Sequence, residues 1–386
     1  MIRALFVFGT RPEAIKLFPV VHAARRRSNW APVVCVTGQH RQMLDQVLRL
    51  AEITPDHDLN VMRPAQDLEH VTTAVLTGTL AIMDQESPDF VIVQGDTTTA
   101  MSAALAAFYR RKPIVHVEAG LRSGDLWAPF PEEANRKIVS AIAQHHMAPT
   151  QMAADNLRRE GIAPDAVHVT GNTVVDALVW MRRRLGANVK PSADLGSDLP
   201  RLDPRKRMIL VTAHRRENLQ GGIERIATAL ARLADRGDVQ ILFPVHLNPK
   251  VRGPVWEILG NKEGVCLLEP LDYLPFVFLL GKAHIIITDS GGVQEEAPAF
   301  GIPVLVMRDK TERPEGVLAG TARLVGSDDD TIVSEASRLL DDPAAYAQMS
   351  RSHNPFGDGH AADRILDILE GKSPAPMGSA IQTSCG

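Results

Sequence analysis

The stretch Ala4-Leu5-Phe6-Val7-Phe8-Gly9-Thr10-Arg11-Pro12-Glu13-Ala14-Ile15-Lys16 decides the fold. An apolar run without polar alternation describes a strand covered on both faces, as in a parallel sheet. Gly9 marks the turn. Pro12 suits the first turn of a helix, where its missing N–H is no loss. Arg11 and Lys16 flank the helix start, and a helix N-terminus with added cations is an anion site. The alternative is a plain turn with surface charges; two cations beside one N-terminus favour binding.

The same unit repeats outward from there. Strands at 2–9, 32–37, 90–94, 114–118 and 166–170 alternate with helical patterns at 12–26, 40–53, 68–86, 98–110 and 132–144. Strand–helix–strand repetition predicts a doubly wound α/β sheet. The pattern breaks at 186–207, a polar stretch rich in Pro and Gly that reads as a linker. A second α/β series follows, with strands at 208–213, 239–245, 264–268, 285–288, 303–307 and 322–325. The expected division is a first domain over 1–186, a linker over 187–207, a second domain over 208–350, a helical segment over 351–372 and a flexible tail over 373–386. Helices are expected at 329–350 and 359–372. Ligands in such sheets sit beyond the carboxyl ends of the strands, and with two halves the cleft between them is the expected site.

The chain has 386 residues, a length suited to two or three domains. Its net charge is −4 and its aromatic content 5%, which argues against nucleic acid as a partner. No apolar run reaches the ~18 residues of a membrane helix, so no membrane partner is expected. The apolar N-terminus runs into Thr10-Arg11-Pro12-Glu13 without a small-residue cleavage site, and reads as a first strand rather than a signal peptide. Cys35, Cys266 and Cys385 are odd in number and far apart. They imply neither a disulfide framework nor a zinc site, and a reducing cytoplasm fits. Gly357-Asp358-Gly359-His360-Ala361-Ala362 matches a dinucleotide fingerprint, but no strand precedes it, so it reads as a loop and a helix start. No cofactor and no metal is expected.

Polar residues collect at strand ends. Thr288-Asp289-Ser290-Gly291-Gly292-Val293-Gln294-Glu295-Glu296 follows an apolar strand and opens a helix. Ser290 and the paired glycines offer free backbone N–H groups to a phosphate. Glu296, one turn further on, could accept both hydroxyls of a ribose. In the first half, Asp96 follows the strand at 90–94, Glu118 ends the next, and Glu132 opens a helix after Pro129-Phe130-Pro131. Carboxylates crowded at neighbouring strand ends raise one another's pKa and suit proton transfer. Helix capping is the alternative for Glu132 alone; the trio together favours catalysis. His214, in Thr212-Ala213-His214-Arg215-Arg216-Glu217, suggests anion binding or an acid near a leaving group.

Read in series, these motifs resemble the non-hydrolysing UDP-N-acetylglucosamine 2-epimerases. The matching stretches also include His116-Val117-Glu118-Ala119-Gly120-Leu121-Arg122, Pro131-Glu132-Glu133-Ala134-Asn135-Arg136, Gly171-Asn172-Thr173-Val174-Val175-Asp176 and Thr311-Glu312-Arg313-Pro314-Glu315. The resemblance implies two Rossmann-like domains in the arrangement of B-type glycosyltransferases, with the last helix crossing back to the first. It implies interconversion of UDP-N-acetylglucosamine and UDP-N-acetylmannosamine in a homodimer. UDP contacts would then fall on Arg11, Lys16, His214, Phe276, Ser290, Gly291, Gly292, Glu296 and Arg313, and Asp96, Glu118 and Glu132 match the family's catalytic acids. Leu271 departs from the pattern, since some members carry Gln there; a backbone contact to uracil survives that change and a side-chain contact does not. Gln39, Gln42, Gln66 and His246 resemble positions of a second, activating UDP-sugar site in some members. The rival readings are a B-type glycosyltransferase, an epimerase of a modified UDP-amino sugar, and a catalytically idle UDP-sugar sensor.

Overall fold

β-Branched and aromatic residues in short runs become the strands of two parallel sheets, and the amphipathic stretches between them become the covering helices. The computed structural model describes residues 1–39, 41–63, 67–186, 199–219, 221–351 and 354–378. The chain divides into two compact units, one formed by Met1–Trp180 with Phe356–Gly378 and a second by Met181–Pro355.

In the first unit the strands are β1 (Ile2–Phe8), β2 (Trp30–Val36), β3 (His57–Asp58), β4 (Phe90–Gln94), β5 (Ile114–Val117), β6 (His145–Ala148) and β7 (Val167–Val169). They pair in parallel in the order β3-β2-β1-β4-β5-β6-β7. The helices are α1 (Arg11–Arg25), α2 (Arg41–Leu50), α3 (Leu68–Glu86), α4 (Thr98–Tyr109), α5 (Glu132–Ile142) and α6 (Gln151–Arg159), with α7 (Thr173–Leu185) crossing the unit boundary after Trp180. Leu5, Val7, Val91, Val93 and Ile114 pack with Val71, Val75, Ala103 and Ala107 in the core on one face of the sheet.

The second unit has β8 (Arg207–Thr212), β9 (Val239–Pro244), β10 (Val265–Leu268), β11 (Ile285–Thr288), β12 (Val304–Val306) and β13 (Ala322–Leu324), in the order β10-β9-β8-β11-β12-β13. Its helices are α8 (Gly222–Ala234), α9 (Pro249–Leu259), α10 (Tyr273–Leu280), α11 (Gly291–Glu296), α12 (Pro314–Leu318), α13 (Asp329–Asp341) and α14 (Pro343–Ser350). In both sheets, whose strands all run parallel, the order of strand addition reverses once, between β1 and β4 and between β8 and β11. Those are the switch points at which loops splay apart and ligands bind in sheets of this kind.

The last helix, α15 (Ala361–Leu369), belongs to the first unit and packs on α1. Arg27 ties it down through Asp367 at 2.8 Å and Glu370 at 3.1 Å, and Trp30 Nε1 donates to Glu370 at 2.6 Å. Arg364 donates to the carbonyls of Ala375 and Pro376, which holds the described part of the C-terminal segment against the same unit.

Local departures from the sequence reading have plain causes. The helix expected over 329–350 is two helices, because Pro343 has no N–H to continue the first and Asp342 caps the second through the N–H groups of Ala344 and Ala345. The helix expected over 359–372 begins only at Ala361, after Gly357 and Gly359 with positive φ. β3 has two residues, too few for a period to register. Residue 207 already belongs to β8, and 187–198 of the expected linker lie outside the described residues. Among the described residues no helix is long and apolar enough to cross a membrane.

Candidate active site

At the first unit's switch point, the turn after β1 must pass close to the turns after β2 and β4. A Cβ on Gly9 would stand 2.0 Å from Thr37 Oγ1, so only glycine fits there. The fully buried Glu13 then binds the turn together. It accepts the N–H groups of Gly9 at 3.0 Å and Thr10 at 2.8 Å, and the Thr97 hydroxyl at 2.6 Å. Burial pushes its carboxyl above the usual range, while all three partners are donors that stabilise the ionised form. Thr97 in turn caps α4 through the Ala100 N–H.

Asp96 therefore sits on a turn clamped from the β1 side. His116 Nε2 donates to the Gly95 carbonyl at 2.7 Å, and Asn135 Nδ2 donates to the Asp96 carbonyl at 2.9 Å. Burial drives the His116 imidazole down to about 3, so it is neutral with its proton on Nε2. The Asp96 carboxylate pairs with Arg136. Glu118, at the end of the neighbouring strand, is buried and has φ of +60°, a left-handed conformation costly for a side chain of this size. Its carboxylate accepts from Lys16 Nζ at 2.5 Å and from Gln94 Nε2, and a Cβ on Gly95 would lie 3.8 Å from Glu118 Oε2. Glu132 opens α5, the helix whose Asn135 and Arg136 reach Asp96; its Oε2 is buried with no hydrogen-bond partner among the described residues. The three acids are thus brought to one neighbourhood. The mutual crowding expected of them is offset, since Lys16 and Arg136 each neutralise one. Lys16 spends its charge on Glu118, and Arg11 begins α1 beside it, partly exposed.

At the second unit's switch point the organising residue is Asp289, fully buried just after β11. It accepts the N–H groups of His214 at 3.0 Å and Arg215 at 2.9 Å, and Asn218 Nδ2 at 3.0 Å. The turn after β8 is shaped by this one carboxylate. His214 Nδ1 lies 3.3 Å from Asp289 and its ring stacks on that of His246 at 5.9 Å. Burial lowers the His214 pKa, Asp289 opposes the fall, and Arg215 and His246 add to it. Ser290 caps α11 without using its hydroxyl on the helix. A Cβ on Gly291 would lie 3.6 Å from Arg215 Nη2 and 4.0 Å from Arg313 Nη2, so two guanidinium groups face the Ser290-Gly291-Gly292 backbone. Arg313 is aimed by the buried Glu295, and Thr311 by Gln294 at 2.7 Å. Glu296 is buried and accepts from the Tyr273 hydroxyl at 3.4 Å. Phe276 lies half-buried on α10, and Leu271 half-buried just before it. The combination of oriented N–H groups and guanidinium forks suits a diphosphate.

A model of the family described as UDP-N-acetylglucosamine 2-epimerase matches residues 22–370. The chain belongs to this family. UDP-N-acetylglucosamine 2-epimerase of Escherichia coli (strain K12) is 54% identical over 369 residues, which cover 95% of this chain and 98% of that one. A crystal structure of the UDP-GlcNAc 2-epimerase from Neisseria meningitidis, bound to UDP-GlcNAc, superposes with a TM-score of 0.89 at 45% identity, covering 96% of this chain and all of that chain. The glycotransferase of kitacinnamycin, 12% identical with a TM-score of 0.63, shares the fold alone. This member of the epimerase family is accordingly an isomerase with two Rossmann-like α/β domains of the kind found in B-type glycosyltransferases.

Within the family frame, the residues expected from sequence divide into one set in each unit, most of them in the turns at the two switch points, with Leu271 and Phe276 after the edge strand β10 and Glu132 at the start of α5. Asp96, Glu118, Glu132, Arg11 and Lys16 are in the first; His214, Leu271, Phe276, Ser290, Gly291, Gly292, Glu296 and Arg313 are in the second. Of the expected second site, Gln39 accepts from the Thr99 hydroxyl at 3.0 Å, Gln42 is exposed on α2, His246 follows β9, and Gln66 lies outside the described residues. Sequence reasoning passed over Glu13, Gln94, Asn135, Arg136 and Asp289 as partners of the site. A signal for two of them was present: Asn135 and Arg136 stand three and four residues after Glu132, on the same helix face. Among the described residues no cluster of His, Cys, Asp and Glu could hold a metal.

Proposed function

We propose that the enzyme interconverts UDP-N-acetylglucosamine and UDP-N-acetylmannosamine by anti elimination of UDP to a glycal, followed by re-addition. The C2 proton of a pyranose is adjacent to no carbonyl, so its direct removal is expensive. Departure of UDP makes an oxocarbenium-like centre at C1 and the neighbouring C–H becomes acidic. UDP keeps the electron pair of the broken C–O bond, and the C2–H pair forms the C1–C2 double bond. In the return direction a proton is delivered to the opposite face of C2 and UDP re-adds at C1.

The residues assigned to the leaving group are Ser290, Gly291, Gly292, Arg313, His214 and Arg11, whose donors and charges meet the negative charge that develops on UDP. Glu296 takes the ribose hydroxyls, and Leu271 and Phe276 border the base. Asp96, Glu118 and Glu132 serve C2; two faces need two groups, and the third tunes or orients. The observation that supports the reading is that Asp96 and Glu118 stand at the neighbouring ends of β4 and β5, and that Glu132, whose Oε2 has no hydrogen-bond partner among the described residues, stands one turn before Asn135 and Arg136, which reach Asp96. A glycosyltransferase has no use for several acids beside one sugar carbon, nor does a sensor. A homodimer, twice the mass of the chain, is part of the same proposal and is checked by light scattering.

The test is an NMR time course in heavy water with UDP-N-acetylglucosamine as the only substrate. The expected result is the manno sugar nucleotide, formed without acceptor and carrying deuterium at C2. Product without label at C2 ends the elimination scheme; no product without an acceptor points to transfer instead.

A further inference from the structure

We propose that Arg136 is a positioning residue that holds Asp96 in its reactive orientation, and that Glu133 is the strut that holds Arg136. The inference rests on the reading of Asp96 as a proton-transfer group. Three contacts fix Asp96, and they differ in kind. His116 and Asn135 hold its backbone from two sides, through the Gly95 and Asp96 carbonyls. Among the described residues Arg136 alone hydrogen-bonds the side chain, through Nη2 on Oδ2, and Oδ1 accepts no hydrogen bond there. A carboxylate with one oxygen clamped by a planar guanidinium and the other open has a single oxygen to offer a proton.

Arg136 is itself fixed from the far side. Its Nη1 lies 3.2 Å from Oε2 of Glu133, one turn back on α5. Glu133 is fully buried and also accepts the N–H groups of Ser123 at 3.0 Å and Gly124 at 3.4 Å, in the loop that leads from β5 to Glu132. A buried carboxylate with no other cation among the described residues is tolerated because Arg136 and two backbone donors satisfy it. Glu133, Arg136 and Asp96 therefore form one rigid line. It runs from the β5–α5 loop, across the first turns of α5, to the turn after β4. The same line sets where α5 begins, and so where Glu132 stands.

The test compares Arg136→Ala, Arg136→Lys, Glu133→Gln and Asp96→Asn in the full chain, with epimerisation of UDP-N-acetylglucosamine and calorimetric UDP binding as readouts. Misplacing one reacting group costs on the order of 100-fold in rate, and that is the expected loss of kcat in Arg136→Ala. KM should stay within about threefold, because Asp96 is engaged in the transition state rather than in nucleotide binding. Added guanidinium ion should restore part of the kcat of Arg136→Ala and none of that of Asp96→Asn. Arg136→Lys keeps the charge without the fork and should lose kcat with UDP affinity unchanged; it is the readout if the alanine variant does not fold. Glu133→Gln should lose about tenfold in kcat. Wild-type kcat in Arg136→Lys, or loss in Arg136→Ala without guanidinium rescue, overturns the inference. If Asp96→Asn turns over like wild type, the catalytic assignment of Asp96 fails as well; if it is inactive while the Arg136 variants are fully active, the positioning role alone fails.

Discussion

Asp289 and Glu118 show how a single residue shapes the strand ends of each unit. Asp289 is buried and is stabilised by donors from the β8 turn, with no Lys or Arg ion pair among the described residues. Replacing it by Asn puts an amide nitrogen against donors it cannot accept. We expect Asp289→Asn to lower stability by about 1–3 kcal/mol, read by urea unfolding, and to weaken UDP binding about tenfold by calorimetry. Wild-type UDP affinity would show that the shape of the β8 turn is irrelevant to binding. Glu118 carries its carboxylate on a left-handed backbone, beside Lys16 and Gln94. Such strain persists only where the surroundings over-determine it. Lys16→Met leaves Glu118 buried without its cation, and we expect turnover to fall by at least about tenfold while the variant still folds; full activity with normal UDP affinity would remove the pair from the chemistry.

Elements are joined here by buried carboxylates that reach helix or turn N–H groups. Asp176, on α7, accepts the N–H groups of Ala361 at 3.2 Å and Ala362 at 2.8 Å, and so caps α15 from a distant part of the chain. Burial raises its pKa from 3.8 to about 7. A folded value above the unfolded one means stability that is complete below pH 3.8 and lost as pH rises through about 7. Wild type should therefore lose up to about 4 kcal/mol from this group over that window, while Asp176→Asn loses none of it. In urea midpoints of both proteins measured from pH 4 to 8, wild type should fall relative to Asp176→Asn as pH rises; a constant difference would show that Asp176 does not titrate. Gly9 is the second case. Its neighbours Thr37 and Thr99 belong to other turns of the same sheet edge, and Gly9→Ala should cost about 1–3 kcal/mol in thermal or urea unfolding. An unperturbed Gly9→Ala variant would mean that the turn has room for a methyl group.

The whole molecule depends on a return of the chain. α15 completes the first unit, with Ile365 and Leu366 fully buried and Arg27 donating to the Asp363 carbonyl, 336 residues away in sequence. Burial of two such side chains alone is worth about 3 kcal/mol or more. A chain ending at Pro355 should melt at lower temperature or aggregate, followed by calorimetry and light scattering; an unchanged melting profile would show that α15 adds nothing to the first unit.

The alternation of apolar runs with amphipathic helices is local, so the α/β class, the two series and nearly every strand were readable from residues a few places apart. Asp96, Glu118 and the Ser290-Gly291-Gly292 turn were readable for the same reason: each stands within two residues of a strand end, where a bare scaffold needs only turn residues, whereas Glu132 was readable only as the start of a helix. β3 was too short to read, β6 and α6 were not among the expected elements, and the break at Pro343 was overlooked although proline announces it. What contiguous residues could not supply was pairing. Lys16 finds Glu118 across 102 positions, Arg136 finds Asp96 across 40, and Asn218 finds Asp289 across 71. Strand order decides those meetings, because a parallel sheet sets side by side the ends of strands whose connecting helices are of no fixed length. Local patterning, a property of neighbours, therefore specifies the elements and the residue types at their ends, whereas charge compensation and carboxylate orientation exist only once long-range packing has brought partners within a hydrogen bond.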